Sequence, residues 1–238
     1  MSTLGTLYAV GVGPGDPELM TVKAARILAA TATVFTAASP RNGQSHALEI
    51  ARVHLSEGAR VERLEFPMTR DEVILAAAWE EAARKVLAVL SRGEDAVFLT
   101  LGDPMTYSTF GYLLRTLRAL EPEAPVQAVP GVTSYQAAAA AALTPLVEGE
   151  EGLCVISGIA AEEKLETTLA TADNAVVLKA YRNLPTIRKV VSRLGLSERV
   201  QAVSCLGMAD EARYQGLDEV PETLPYFSLF LLPKERKK

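Results

Sequence analysis

The chain has 238 residues, of which 49% are hydrophobic and 22% are charged, a balance typical of folded proteins rather than disordered ones. The formal net charge of −5 disfavours a nucleic-acid-binding function, because neutralising phosphates requires a basic surface. This length allows one large domain or two small ones.

The cysteine and histidine content disfavours a metal site or a disulfide framework. Cys154 and Cys205 lie far apart in the sequence without ligand-like spacing, and His46 and His54 form no cluster with them. We therefore expect reduced core thiols in a cytoplasmic protein. With no charged and apolar leader and no apolar run of about 18 residues, neither secretion nor a membrane span is expected.

The first half of the chain predicts alternating strands and helices. The apolar stretch "TLYAVGVG" closes with glycines, as a short buried strand does, and Asp16 with Pro17 predicts the start of the helix "ELMTVKAARILAA". The strand "TATVFTAAS", the helix "HALEIARVHL" and the strand "ARVERLEFPM" follow. A long amphipathic helix then ends at Gly93. The strands "DAVFLTLGDP" and "VQAVPG" flank the helix "STFGYLLRTLRAL".

This alternation predicts an α/β fold, with a parallel sheet covered by helices on both faces. After the alanine-rich helix "SYQAAAAAAL", the stretch "TPLVEGEEG" is typical of a connector. Four further strands ("LCVISG", "NAVVLKAY", "RVQAVSCLGM" and "YFSLFLLP") and two helices follow it. We expect an N-terminal α/β domain at residues 1–145 and a smaller C-terminal α/β domain with a mixed sheet at residues 146–238.

Three loops that follow predicted strands share a composition rich in glycine, proline and hydroxyl residues: "GVGPGDP", "LGDPMTYS" and "PGVTSY". Ligands of open parallel sheets bind beyond the carboxyl ends of the strands, so these loops should border one crevice. A single Gly-Asp-Pro is equally well explained as a strand-to-helix turn. Three such loops favour a binding site.

The first loop does not carry a dinucleotide-binding fingerprint. Asp16 occupies the position of the third glycine, and Pro14 removes a backbone N–H that a pyrophosphate would need. No acidic residue closes the second strand to hold a ribose. A phosphate-binding Gly-Lys-Ser/Thr loop is absent as well. NAD binding and the common methyltransferase variant of the Rossmann fold are therefore disfavoured.

Taken in order, "GVGPGDPEL", "LTLGDPMTYSTF" and "VPGVTSY" resemble the motifs of the tetrapyrrole methylases, two-domain enzymes that methylate corrin and sirohaem precursors with S-adenosylmethionine. The resemblance extends over the whole chain, including "VVLKAY" and "LGMADE". Within the family, "FPMTRD" and "GDPMTYSTF" look most like the precorrin-2 C(20)-methyltransferases and their cobalt-factor II counterparts. The resemblance to this family also implies a homodimer that acts on a small tetrapyrrole, with no nucleic-acid or membrane partner.

The resemblance implies a set of cofactor-binding residues in the loops, namely Pro14, Leu101, Gly102, Asp103, Thr106, Thr133, Ser134, Lys179, Gly207 and Met208. Asp103 either contacts the ammonium group of S-adenosylmethionine or caps its own turn. Thr133 and Ser134 offer hydroxyls to the ligand, cap the following helix, or do both.

For the acidic substrate, the resemblance implies a second set: Asp16, Arg41, Arg70, Tyr107 and Arg182. Arginine binds carboxylates through two parallel hydrogen bonds, although a loop arginine can also be simply solvated. No catalytic residue is assigned, because the electron-rich macrocycle is itself the nucleophile and the enzyme mainly aligns it and excludes water. No metal is expected to take part.

Relatives that methylate uroporphyrinogen III are expected to carry an aspartate base at the end of the second strand, where this chain has Ala37. No carboxylate occurs between Glu18 and Glu49. The alternatives are a methylase acting at another ring carbon, a diphthine synthase-like protein methylase, and a module that binds a nucleotide-like ligand without chemistry.

Overall fold

A computed structural model describes residues 4–38 and 45–235, with the side chain of Ala38 left out. The chain divides into two compact units, residues 1–133 and 134–238. The sequence analysis placed the boundary twelve residues later, after the alanine-rich helix. That helix belongs to the second unit because its Ala138 and Ala139 pack in one cluster with residues of that unit's strands, such as Val176 and Leu231.

The first unit is a five-stranded parallel sheet in the order β3-β2-β4-β1-β5. Its strands are β1 (Leu7–Gly11), β2 (Thr33–Ala38), β3 (Arg60–Glu65), β4 (Ala96–Thr100) and β5 (Val126–Val129). Its helices are α1 (Val22–Ala30), α2 (His46–Ala51), α3 (Glu72–Leu90) and α4 (Phe110–Leu120).

Side chains of the central strands alternate between two buried cores. Leu7 and Phe98 point to the face covered by α3 and α4, whereas Val10 and Leu99 point to the face covered by α1 and α2. All four side chains are buried, which is why β1 and β4 are apolar at nearly every position rather than at alternate ones. The predicted parallel sheet with helices on both faces is confirmed.

The first helix begins later than the sequence indicated. Asp16 does accept a hydrogen bond from the Glu18 N–H at 2.8 Å, but it caps only a single 3-10 turn, Pro17–Leu19. Met20 is extended, and Thr21 caps the true start of α1 by accepting from the Ala24 N–H at 3.2 Å. The prediction that Asp16 and Pro17 begin this α-helix is therefore wrong, because a second capping residue lies five positions further on.

The second unit is a mixed five-stranded sheet in the order β6-β7-β10-β8-β9. Its strands are β6 (Leu153–Ser157), β7 (Asn174–Leu178), β8 (Gln201–Ser204), β9 (Ala212–Gln215) and β10 (Ser228–Leu232), and its helices are α5 (Ser134–Ala141), α6 (Glu162–Thr171) and α7 (Leu184–Arg193). Strands β6 and β7 are parallel, while β10 runs antiparallel to β7 and β8. The mixed sheet is confirmed. The sequence analysis missed β9, a short edge strand with few buried side chains.

Across residues 4–38 and 45–235, no helix has both the length and the apolar character that crossing a membrane requires.

Candidate active site

The carboxyl ends of β1 and β4 lie at the topological switch point of the first sheet, where the strand order reverses. These strands are neighbours, yet the chain leaves β1 for α1 on one face and leaves β4 for α4 on the other. A crevice opens at such a switch point in parallel sheets, and it is the usual ligand site of the architecture. Both Gly-Asp-Pro loops border it, as the sequence analysis predicted.

Backbone hydrogen bonds join the two loops directly. The Gly102 N–H donates to the Gly13 carbonyl at 2.8 Å, and the Gly13 N–H donates back to the Gly102 carbonyl at 3.3 Å. The pair forms an isolated antiparallel bridge outside the sheet. The bridge thus places Gly13, two residues before the first Gly-Asp-Pro, opposite Gly102, the glycine of the second.

The loop after β5 meets the other two through glycines that no larger residue can replace. A Cβ atom on Gly11 would lie 2.5 Å from the Gly102 carbonyl oxygen and 2.7 Å from the Gly131 nitrogen. A Cβ atom on Gly131 would clash with the same carbonyl oxygen and with the Gly11 backbone. Three main chains therefore pack against one another where side chains would ordinarily keep them apart.

The Asp103 carboxylate fixes this three-loop contact. Its Oδ1 accepts from the Met105 N–H at 2.9 Å and from the Thr106 hydroxyl at 3.3 Å, which stabilises the turn after β4. Its Oδ2 accepts from the Gly131 N–H at 3.2 Å and so binds the loop after β5. Of the two roles left open by the sequence, the structure shows the turn-capping one, and it adds a link between loops.

Gly102 leaves room for a ligand beside the backbone. Its φ of +67° lies in the left-handed region. A Cβ atom there would have no protein atom closer than the Val132 carbonyl oxygen at 3.9 Å. Gly102 is thus required by its conformation, and a Cβ there would make only ordinary van der Waals contacts, unlike one on Gly11 or Gly131.

The other predicted residues of the first unit lie in or near these loops. Pro14 and Thr133 are buried, Leu101 is half-buried, and Tyr107 is 53% exposed with a positive φ of +51°. Arg70 is exposed just before α3 and contacts no carboxylate among residues 4–38 and 45–235, and Arg41 lies outside those ranges. Positive φ at a bulky residue such as Tyr107 is uncommon and often marks a functional site.

In the second unit, the strands β6, β7 and β8 end at the same edge of the sheet, since β7 and β8 are both antiparallel to β10. Lys179 follows β7 and has a φ of +56°. Gly207 and Met208 follow β8, and the Gly207 N–H donates to Glu211 Oε2 at 2.8 Å. Ser134 is the first residue of α5. The sheet thus brings Lys179, Gly207 and Met208 to one edge.

Lys179 is the most perturbed side chain at this edge. Its ammonium is half-buried, and burial lowers its pKa from the usual value, with a further decrease from the positive charge of Arg182. At the end of β6, the buried hydroxyl oxygen of Ser157 has no hydrogen-bond partner within the part of the chain that the structure describes. Within that same part, no three His, Cys, Asp or Glu side chains cluster closely enough to hold a metal ion.

The family model described as tetrapyrrole (corrin/porphyrin) methylases matches residues 6–220. The chain belongs to this family.

Individual relatives are similar to this chain over nearly its whole length. The chain is 37% identical to the cobalt-precorrin-2 C(20)-methyltransferase of Salmonella typhimurium, covering 97% of both chains. It is 31% identical to a precorrin-2 C(20)-methyltransferase of a Sinorhizobium species, covering 97% of this chain and 96% of the relative. A solved uroporphyrin-III C-methyltransferase of Thermus thermophilus, complexed with S-adenosylhomocysteine, matches with a TM-score of 0.67 and 28% identity over 95% of this chain and 97% of that one.

Sequence reasoning found the loops but missed how they are held. Gly11 and Gly131 gave a usable signal, because Gly11 ends the apolar strand β1 and Gly131 follows Pro130 directly after β5. The link from Asp103 to Gly131 joins residues 28 positions apart and has no local sequence signature.

We predict that Asp103→Asn destabilises the protein, because an amide offers only one acceptor oxygen and Asp103 uses both of its oxygens. The lost bond should cost about 1–3 kcal/mol in the free energy of unfolding, measured by chemical denaturation.

Asp71→Asn is the matched control. Asp71 caps α3 through Oδ1 alone, which accepts from the Val73 and Ile74 N–H groups at 2.9 and 3.2 Å. Asparagine caps helices about as well as aspartate, so this variant should unfold like the wild type. Equal losses in the two variants would contradict the two-oxygen role of Asp103.

Proposed function

We propose that this chain is an S-adenosylmethionine-dependent methyltransferase that methylates carbon 20 of precorrin-2 or of its cobalt form. The observation that carries the proposal is the end-to-end similarity to proteins named for that reaction, at 37% and 31% identity. The runner-up is another methylase of the family that acts at a different ring carbon.

The loops of the first unit fit a methyl donor that is part nucleoside and part amino acid. Gly102 presents backbone without a side chain, and an added Cβ would meet no described atom closer than 3.9 Å, so a polar ligand can approach the backbone closely there. We assign cofactor contacts here to Pro14, Leu101, Gly102, Thr106 and Thr133. In the second unit, Ser134, Gly207 and Met208 are the residues assigned. When bound, S-adenosylmethionine supplies a methyl group on a positively charged sulfur.

The protein's own contribution is positioning. Asp103 has both carboxylate oxygens engaged by the loops, so we assign it to holding Gly102 in place rather than to the ammonium of the ligand. Holding two reactants in line and keeping water out lowers the barrier without a strong base. We also propose that the protein is a cytoplasmic homodimer, as the family resemblance implies.

The end of β2 supports a substrate other than uroporphyrinogen III. Ala37 is half-buried there and packs beside the core of α3 and α4. Its register partner in β3 is Leu64, another apolar residue. A carboxylate base is therefore missing at the position where the relatives that act on uroporphyrinogen III are expected to carry one.

We predict that Gly102→Ala lowers the affinity for S-adenosylhomocysteine at least tenfold, because its methyl group enters the space assigned to the cofactor. Left-handed alanine should also cost about 1–2 kcal/mol of stability. Calorimetric titration of the folded variant measures the affinity.

Gly58→Ala separates these two effects. Gly58 also has a positive φ, +81°, but it lies in an exposed turn with no atom within 4 Å of the added Cβ. It should lose similar stability and keep full affinity. Unchanged affinity in Gly102→Ala would remove this loop from the cofactor site.

We further predict turnover of precorrin-2 or cobalt-factor II and a rate on uroporphyrinogen III that is lower by about 10²–10⁴-fold, the usual contribution of a general base. Release of S-adenosylhomocysteine on each substrate is the measurement. Equal rates on the two kinds of substrate would contradict the assignment of the substrate. If no tetrapyrrole led to release of S-adenosylhomocysteine, a module that binds a ligand without catalysing a reaction would be favoured.

A further inference from the structure

Most cations of the second unit have a carboxylate or carbonyl partner within it. Lys189 and Arg193 pair with acidic residues of α6, and Arg213 and Lys234 also contact carboxylates. Arg188 and Arg199 donate to backbone carbonyls. Among residues 134–235, the lysines and arginines whose side chains contact neither a carboxylate nor a carbonyl are Lys164, Lys179 and Arg182.

Two of these three cations share one turn. Lys179 directly precedes the 3-10 turn Ala180–Arg182, and Arg182 is its last residue. The backbone N–H of Arg182 donates to the Lys179 carbonyl at 3.3 Å. Lys164, in contrast, is an exposed residue of α6. The left-handed backbone of Lys179 adds strain to the turn.

This arrangement is unfavourable without an anion. Lys179 is half-buried, so its charge has lost part of its hydration, and Arg182 places a second positive charge nearby. The chain carries 29 acidic residues, yet no described one contacts either side chain. Unfavourable local charge that the fold does not compensate is typical of binding sites.

Aromatic rings adjoin Arg182. The Arg182 Nε donates to the Tyr181 hydroxyl at 2.9 Å, and the Tyr181 ring lies 5.1 Å from that of Tyr226. Tyr226 in turn contacts Phe227 edge-on at 4.8 Å and is 51% exposed. An exposed aromatic surface beside Arg182, with Lys179 at the start of the same turn, suits a ligand with an apolar ring body and acidic side chains.

We propose that Lys179 and Arg182 form a carboxylate-binding pair that holds an acidic side chain of the tetrapyrrole substrate. This inference rests on the proposed function and deepens it. It moves Lys179 from the cofactor to the substrate, because the neighbouring Tyr181 and Tyr226 rings match a macrocycle better than the flexible amino-acid end of S-adenosylmethionine.

The test uses the full chain with Lys179→Gln, Arg182→Gln and the double variant, and Lys164→Gln as a control that removes a charge elsewhere in the same unit. Loss of a charged hydrogen bond should raise the KM for precorrin-2 about tenfold or more for each residue. The rise in KM should exceed any fall in kcat. Lys164→Gln should match the wild type.

Three further readouts separate binding from structure. The melting temperature of Lys179→Gln should be unchanged or higher, since the variant removes an uncompensated buried charge. Added salt should raise the KM of the wild type more than that of the double variant. The affinity for S-adenosylhomocysteine should be unaffected.

An unchanged KM in the double variant would overturn the proposal, as would a lower melting temperature together with a fall in kcat as large as the rise in KM. Weaker binding of S-adenosylhomocysteine, but not of methylthioadenosine, which lacks the carboxylate, would overturn the assignment to the substrate and give the pair to the cofactor. If the wild type methylates neither precorrin-2 nor cobalt-factor II, the proposed function itself fails.

Discussion

The first unit depends on three main chains approaching one another at the carboxyl ends of β1, β4 and β5. Gly11 and Gly131 permit the approach because neither has a side chain, and the Asp103 carboxylate binds two of the loops together. The contact places the backbone of Gly102 at the switch point between β1 and β4, where the strand order reverses. The two aspartates of the repeated Gly-Asp-Pro both stabilise turns, and Asp103 also links two of the loops.

In the second unit, the features that bear on the proposed function are charged and aromatic side chains rather than backbone groups. Its edge at the ends of β6, β7 and β8 carries a half-buried lysine, an arginine and a surface of tyrosine rings. These features suit the acidic tetrapyrrole that we propose as the substrate. Within the second unit, the two cations of the proposed pair lack acidic partners among the described residues, whereas Lys189, Arg193, Arg213 and Lys234 have them.

Much of this was predictable from sequence. Apolar runs closed by glycine identified β1 and β4 because both are buried on both faces, and Gly93 correctly ended the long helix α3. The start of α1 was wrong because Asp16 and Thr21 are both good caps and only the backbone at Met20 decides between them. The sequence singled out Lys179 and Arg182 separately. The link from Asp103 to Gly131, and the lack of acidic partners for Lys179 and Arg182 among the described residues, depend on long-range contacts that local patterns do not encode.

The most direct test of the central claim is to supply S-adenosylmethionine labelled with carbon-13 in its methyl group, together with precorrin-2 or cobalt-factor II, and to locate the label in the product by NMR. The account predicts one labelled methyl group, at carbon 20 of the macrocycle. A label at any other ring carbon would contradict the proposed reaction, although the chain would remain a member of the same family.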